Sequence, residues 1–421
     1  MISQNQPPVV SRQATIKHGQ YRDKIVYVPN MCDHSHILAA AMRFHGIPAQ
    51  VLPMTDDESL AIGLDWCNGR ECLPCFLTTG DYVRLSRQPG FDPARSVLLM
   101  ASSTGACRFG QYSVLQRRIL DEIGMGAMEI IVPDANNAYQ GFGENPTQLR
   151  QLAWQGAVAI DSLQKLQHQY RPYEVYPGST NSVYQTCLDH LIAAVDQGGG
   201  KHLEAVMHVI AGRFETLPIQ REEPRPLIAL LGEVYMRFND YSNMNIVQRI
   251  EQAGGEVMVA SMMEWFYYTN WEYARANRMV GHHLEALKTW LIDRYQFYYE
   301  AKLVAPVKHL LHHPYEVSVD RLMNHIKPYY DPSLGNETVL TLGKAVEMAH
   351  QGASGIVNVM PFSCMPGIIT ATIASRMRKD LDHIPWLDVM YDTQGGTNLN
   401  TRMEAFMYQA HHFMRRRTPA A

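Results

Sequence analysis

Short apolar runs alternate with amphipathic segments along the first third of the chain and again along its last half. Continuous apolar runs predict strands buried on both faces of a parallel sheet, and the amphipathic segments between them predict the covering helices. The predicted strands are residues 24–29, 49–53, 96–102, 128–133, 227–232, 256–260, 355–361 and 386–391. The predicted helices include 34–45, 243–253, one from Ile368 and one from Asn400.

Strand patterns are missing from 147 to 217, where the periodicity is helical, and the proline-punctuated segment 217–226 indicates a linker. We therefore predict an α/β fold of two Rossmann-like parallel-sheet lobes with helical insertions. The predicted divisions are an N-terminal lobe over 20–145, a helical segment over 146–217 and a C-terminal lobe over 227–410. Ligands bind at the carboxyl ends of the strands in such sheets, so we expect a site in the cleft between the lobes.

Composition narrows the class of protein. Of 421 residues, 46% are apolar and 19% charged, which excludes a disordered chain. The net charge of −4 argues against nucleic acid as a partner. No apolar run approaches the roughly 20 residues that cross a bilayer, and the amino terminus carries no secretion signal. We expect a cytoplasmic protein without membrane contact, in which structural disulfides are disfavoured.

Four of the seven cysteines lie on turns that lead into predicted helices. A helix N-terminus favours the thiolate form, which is the form that binds metal. The four candidate metal ligands are Cys72, Cys75, Cys107 and Cys364. The other three (Cys32, Cys67 and Cys187) are interpreted as small buried residues, although Cys67 is close enough to Cys72 to serve as a spare ligand.

Four thiolates suit either a tetrahedral zinc ion or an iron–sulfur cluster. Structural zinc usually takes two short Cys pairs, whereas here one Cys-x-x-Cys pair is joined by two isolated cysteines, which favours a cluster between the lobes. Two alternatives stay open at this point. The pair alone is compatible with a thioredoxin-type redox motif, and all four cysteines are compatible with ordinary buried residues.

Polar residues near these turns are candidates for a cofactor or catalytic role. Arg108, Gln111 and Tyr112 follow Cys107 and can donate hydrogen bonds to cluster sulfurs or to a substrate, or simply cap the helix. Glu233 ends the strand 227–232, where an α/β site is expected. Arg108 and Glu233 are therefore the candidate catalytic residues. The chain has no phosphate-binding loop of the G-x-x-x-x-G-K-[ST] type, so ATP would be used by a partner.

Five motifs together resemble one family, the acyl-CoA dehydratase activase-related branch of the 2-hydroxyacyl-CoA dehydratase D-component superfamily, which includes 2-hydroxyglutaryl-CoA dehydratase and the double-cubane cluster proteins. The motifs are Gly-Arg-Glu-Cys-Leu-Pro-Cys (69–75), Gly-Ala-Cys-Arg-Phe-Gly-Gln-Tyr (105–112), Gly-Glu-Val-Tyr-Met-Arg-Phe-Asn-Asp-Tyr-Ser-Asn (232–243), Pro-Phe-Ser-Cys-Met-Pro-Gly (361–367) and Tyr-Asp-Thr-Gln-Gly-Gly-Thr-Asn (391–398).

The resemblance implies two Rossmann-like lobes around an iron–sulfur cluster, [4Fe–4S] or double-cubane. Cys107 and Cys364 match the family's second and third ligands, and the Cys72/Cys75 pair falls where the first is expected. It also implies a separate ATP-dependent activator of the actin-like fold, and a homodimer or a related subunit. The expected function is passing or using low-potential electrons. The alternatives are a 2-hydroxyacyl-CoA dehydratase-type catalytic subunit with an open iron, and a non-catalytic scaffold with a structural cluster or zinc.

Overall fold

Two β-sheets form the framework of the molecule. The computed structural model describes residues 21–103, 107–133 and 146–417. The expected lack of a secretion signal at the amino terminus, the predicted lobe residues 134–145, and Gly105 and Ala106 of the second motif lie outside these ranges. The described strands are β1 Ile25–Val28, β2 Ala49–Val51, β3 Ser96–Leu99, β4 Glu129–Ile131, β5 Leu227–Gly232, β6 Glu256–Val259, β7 Gly355–Pro361, β8 Trp386–Asp392 and β9 Gly395–Gly396.

Fifteen α-helices in the described ranges accompany these strands. They are α1 His34–Phe44, α2 Asp57–Trp66, α3 Leu73–Ser86, α4 Tyr112–Glu122, α5 Pro146–Tyr170, α6 Ser179–Asp196, α7 Lys201–Glu215, α8 Val234–Phe238, α9 Ile246–Gln252, α10 Met263–Met279, α11 His283–Val304, α12 Val319–Ile326, α13 Asn336–His350, α14 Met365–Asp380 and α15 Leu399–Arg417. Within the part of the chain that the structure describes, no helix is long and apolar enough to cross a membrane.

The first sheet has the order β2-β1-β3-β4 and the second the order β6-β5-β7-β8-β9. Every pairing is parallel except that of β8 with β9. The central strands β3 and β7 are buried at every residue, as expected for strands covered on both faces. In β8 buried residues alternate with half-buried ones. The prediction of an α/β chain with two mainly parallel sheets is confirmed, and the arrangement is compatible with two Rossmann-like lobes.

The helix α5 connects the two sheets. It packs against α1 beside the first sheet and against β6 of the second sheet. A single apolar core accordingly contains Ile37 of α1, Leu163 of α5, Ala229 of β5 and Val339 of α13. The helix α5 therefore links α1, beside the first sheet, with β6 of the second sheet.

Helix boundaries differ from the sequence prediction by more than one residue at the starts of two helices, α9 and α14. The predicted helix 243–253 begins only at Ile246, because Met244 and Asn245 have φ angles of 57° and 55°, in the left-handed region that a helix does not use. The helix predicted from Ile368 begins at Met365, because a proline such as Pro366 is tolerated in the first helical turn. Cys364 thereby becomes the residue directly before α14.

Candidate functional site

Three of the four candidate cysteines directly precede a helix. Cys72 precedes α3 and Cys364 precedes α14. Cys107 precedes a 3₁₀ turn over Arg108–Gln111 that continues into α4. The backbone is extended at each cysteine and helical immediately afterwards. Each thiol therefore lies where the helix presents its positive end.

Backbone N–H groups of the following helix lie near two of these thiols. The N–H of Phe109 lowers the pKa of the Cys107 thiol and the N–H of Gly367 lowers that of the Cys364 thiol, in both cases against the larger effect of burial. Neither sulfur forms a capping hydrogen bond with its own helix. A thiolate gains more from such a donor than a neutral thiol does.

The three cysteines share one electrostatic neighbourhood. Burial raises the pKa of the Cys364 thiol, and the negative charges of Glu337, Glu233 and Cys107 raise it further. Cys107 interacts in turn with the same two carboxyl groups and with Cys72. Cys72 and Cys364 are buried, whereas Cys107 is exposed. The set therefore combines two enclosed thiols with one that faces solvent.

Arg108 connects the three loops that carry these cysteines. Its Nη1 donates to the carbonyl oxygen of Arg70, two residues before Cys72. Its Nη2 donates to the carbonyl oxygen of Ser363 at 2.9 Å and to Ser363 Oγ at 3.0 Å. Ser363 has a φ of 58°, a left-handed conformation that turns the chain directly before Cys364. Arg108, a candidate catalytic residue from the sequence, is thus placed as a positioning residue between the loops.

A second contact joins the loops at the carboxyl ends of the two sheets. Asn239, after α8, donates from Nδ2 to the carbonyl oxygen of Asn30, in the loop after β1, at 3.2 Å. Tyr241 also donates to Asp57 Oδ1 at 2.7 Å. Together with the Arg108 bridge, these contacts bring the strand ends of both sheets to face one another, as ligand sites in α/β folds require.

Tyr112 contacts the first cysteine. Its hydroxyl lies within hydrogen-bonding distance of Cys72 Sγ, and both residues are buried. Burial, with the nearby Cys72 charge, raises the pKa of Tyr112 well above its usual value, so the phenol keeps its proton and is the donor whenever Cys72 is a thiolate. Gln111, the other residue predicted to bind a cofactor, ends the 3₁₀ turn and is exposed.

Cys75 interacts with Cys67, which the sequence analysis interpreted as a small buried residue and not as a ligand. Cys75 lies in the first turn of α3 and is almost fully buried. Its hydrogen bond with Cys67, at the end of α2, is the largest influence on both thiols: it lowers the pKa of Cys67 and raises that of Cys75. Cys75 also interacts electrostatically with Cys72. The sequence signal for Cys67 was only its closeness to Cys72.

Two half-buried carboxyl groups interact electrostatically with the cysteines. Glu233 precedes α8, and its Oε2 accepts a hydrogen bond from the N–H of Met236 at 2.9 Å. Glu337 lies in the first turn of α13, where burial raises its pKa well above the usual value and the Glu233 charge raises it further. Burial also raises the pKa of Glu233. Burial therefore favours the protonated form of both carboxyl groups. Sequence reasoning found Glu233 but missed Glu337.

Among the residues that the structure describes, no three His, Cys, Asp or Glu side chains are grouped as a single metal ion requires. No protein-family model matches the chain, and no curated protein is similar to it in sequence. The family resemblance of the five motifs therefore stays a prediction.

Proposed function

We propose that this protein holds an iron–sulfur cluster and accepts, then passes or uses, low-potential electrons supplied by a separate ATP-dependent activator. The observation that carries the proposal is the convergence of Cys72, Cys107 and Cys364, each directly before a helix, on loops that Arg108 connects.

The cysteine thiols have the chemistry that an iron–sulfur cluster requires of its ligands. Thiolates are the ligands of iron–sulfur clusters, and a cubane attaches each cysteine to a different iron atom, so it accepts sulfurs from separate loops. Helix N-termini and the Tyr112 hydroxyl place positive charge and donors beside the sulfurs. Such donors stabilise the extra negative charge of a reduced cluster and raise its reduction potential.

Cys72, Cys107, Cys364 and Cys75 are the proposed ligands. When bound, the cluster would supply one-electron redox chemistry at the carboxyl ends of the strands. Around it, Arg108 would fix the relative position of the loops and Tyr112 would donate to Cys72. The Glu233 and Glu337 carboxyl groups, whose pKa values burial raises, would lie beside Cys107 and Cys364. The exposed Cys107 loop offers a side from which a partner can deliver electrons.

The test is anaerobic purification or reconstitution followed by iron and acid-labile sulfide assays and by EPR of the reduced protein. We expect several iron and sulfide per chain in the wild type, and loss of both in C107S and C364S. The control is C187S, since Cys187 is buried within α6 and has no part in this site. Iron-free wild type after reconstitution, or unchanged absorbance in both loop variants, contradicts the proposal. One zinc without sulfide would instead support the scaffold.

A second candidate is a dehydratase-type catalytic subunit in which one iron is open to substrate. It is favoured by one observation: the free Cys75 thiol has the free Cys67 thiol as its hydrogen-bonding partner, which leaves Cys72, Cys107 and Cys364 for the cluster. The variant C75S separates the two functions. Retained cluster in C75S supports an open iron, whereas loss of the cluster supports closed four-cysteine ligation and electron transfer alone.

A further inference from the structure

Outside the proposed cluster site, another buried cysteine, Cys32, lies beside a histidine and an aspartate at the carboxyl end of β1. Cys32 follows this strand, and His34 is the first residue of α1. Asp161, from the middle of α5, completes the group. The three residues are 4%, 9% and 5% exposed, respectively. None of them belongs to the proposed cluster site.

The three side chains form a hydrogen-bonded row. Cys32 Sγ lies 3.4 Å from His34 Nδ1, and His34 Nε2 lies 2.9 Å from Asp161 Oδ1. An ionised carboxylate only accepts hydrogen bonds, so Nε2 carries the ring proton that faces Asp161. In a neutral imidazole the other nitrogen, Nδ1, is then free to accept the proton of the Cys32 thiol. This is the geometry of a nucleophile, a base and an orienting group.

Contacts with the start of α10 and with α8 fix the orientations of Asp161 and His34. The Asp161 carboxylate accepts the N–H groups of Met262 at 3.3 Å and Met263 at 3.0 Å, at the start of α10. The His34 ring packs edge-on against Phe238, with ring centroids 5.7 Å apart. His34 thus cannot rotate away from Cys32 without breaking its contacts with Asp161 of α5 and Phe238 of α8.

Once the Cys32 proton has moved to His34, the surrounding charges stabilise the imidazolium form of His34. Burial alone lowers the pKa of His34, but the charges of Cys32 and Asp161 outweigh burial and raise the pKa to about 10. An imidazolium beside a thiolate is the usual way in which a cysteine is activated as a nucleophile.

We infer that Cys32, His34 and Asp161 form a nucleophilic thiol site whose substrate is a small, uncharged hydroperoxide. Size follows from burial, since only 4% of Cys32 is exposed and a large electrophile has no access to it. Asp161 and Phe238 also line a cavity between α5 and β6.

The reaction balances without a further reagent. The Cys32 thiolate attacks one peroxide oxygen, the S–O bond forms and the O–O bond breaks. The departing oxygen takes the proton from His34 Nδ1 and leaves as water when the peroxide is hydrogen peroxide. Sulfur loses two electrons and becomes a sulfenic acid, while the peroxide is reduced by two electrons.

The test uses the full chain exposed briefly to hydrogen peroxide, with dimedone to trap sulfenic acid and mass spectrometry to quantify each cysteine. Cys187 is the internal comparison, because it is also buried and free but lies in the middle of α6. We expect Cys32 to be trapped at least about tenfold faster than Cys187, since base-assisted thiols react orders of magnitude faster than unassisted ones.

Three variants decide the mechanism. H34Q and D161N should each slow trapping at Cys32 by at least about tenfold, the second because the amide cannot hold the required ring tautomer. H36Q, which alters a neighbouring histidine of α1, should leave the rate unchanged. Equal trapping of Cys32 and Cys187 in the wild type, or wild-type rates in both H34Q and D161N, overturns the inference. Iron content is not the readout, so the result is independent of the proposed cluster.

Discussion

At the scale of single residues, the Tyr112 hydroxyl beside Cys72 gives the first prediction. In Y112F the cluster should still assemble, because no ligand is removed. Its reduction potential should fall by about 40 mV, since a lost hydrogen bond of about 1 kcal/mol no longer stabilises the reduced form. The measurement is an EPR-monitored redox titration of wild type and Y112F.

A neighbouring tyrosine provides the control for this variant. Tyr82 is equally buried, but its hydroxyl donates to the carbonyl oxygen of Leu99 at 2.6 Å rather than to a sulfur. Y82F should therefore lower stability without shifting the potential. A higher potential in Y112F, or the same shift in both variants, would contradict an assignment of Tyr112 as the sulfur's donor.

The second prediction concerns Asp81, a carboxyl group buried in α3. Burial raises its pKa from 3.8 to about 6, although Thr55 donates a hydrogen bond to Oδ2 at 2.8 Å. Between pH 4 and 6 the native state keeps this proton while the unfolded state releases it, so stability falls as the pH rises through this window. A shift of about two pH units corresponds to about 3 kcal/mol.

In D81N this loss is absent, because the amide does not ionise. The unfolding free energy of D81N relative to wild type should rise by about 3 kcal/mol between pH 4 and 7, as measured by urea unfolding at several pH values. The exposed Asp65 of α2 gives the matched control, and D65N should show no such rise. A flat difference for D81N would exclude Asp81 as the source of the pH dependence.

Individual site residues were predictable only where a local pattern marks them. Cys72, Cys107 and Cys364 stand out in the sequence because each lies on a turn that leads into a predicted helix. Glu337 carries no such mark, since it lies in a helical insert and reaches the site only when α13 folds back beside β5. The pairing of Cys75 with Cys67 likewise depends on how α2 packs on α3.

At the scale of elements, two glycines allow α2 and α3 to pack closely against each other. A Cβ on Gly80 of α3 would lie 1.7 Å from the carbonyl oxygen of Ser59 in α2, and one on Gly63 would lie 2.1 Å from that of Phe76. The two backbones therefore touch where no side chain fits. Cys67 directly follows α2, and Cys75 lies in the first turn of α3. The distance between the two helices, which these glycines permit, therefore also sets the separation of the two thiols.

The third prediction tests this contact. G80A should destabilise the protein by about 3 kcal/mol or more, because the helices must move apart. G212A is the control: it lies in the exposed interior of α7 with nothing within 4 Å of the added methyl, and should stabilise by about 1 kcal/mol. Thermal or urea unfolding measures both. A neutral G80A would show that the two helices are not held at this distance.

The bounds of strands were predicted correctly where a continuous apolar run ends at a glycine or a proline. β5 and β7 have the predicted bounds because their apolar runs end at Gly232 and Pro361. The start of α9 was missed, because the left-handed conformations of Met244 and Asn245 depend on contacts of the folded chain. Asn243, for example, bonds back to the carbonyl oxygen of Met236 at 2.9 Å.

At the scale of the whole molecule, the core shared through α5 gives the fourth prediction. L163A should cost about 2–5 kcal/mol, since Leu163 is fully buried there. Both sheets should lose stability together, because the same core continues from α1 to β5 and α13. L64A, at an exposed site on α2, should change stability by no more than about 0.5 kcal/mol.

The measurement is native-state hydrogen exchange of peptides from β3 and β7 in increasing urea. The opening free energies of both strands should fall by a similar amount in L163A. A loss confined to one sheet would mean that the lobes unfold independently. The sequence alone predicted two sheets but not this coupling, because the helical pattern of 147–217 does not say which neighbours its apolar faces contact.

The bridge made by Arg108 has a consequence for the order of events during synthesis. Cys72, Cys107 and Arg108 leave the ribosome long before Ser363 and Cys364, so the emerging chain carries an incomplete set of thiols for most of its translation. Arg108 then has only the Arg70 carbonyl as a partner among those described here. A cofactor that needed all three loops could be inserted only after β7 has docked beside β5, so loading of the proposed site would report that translation and folding are complete.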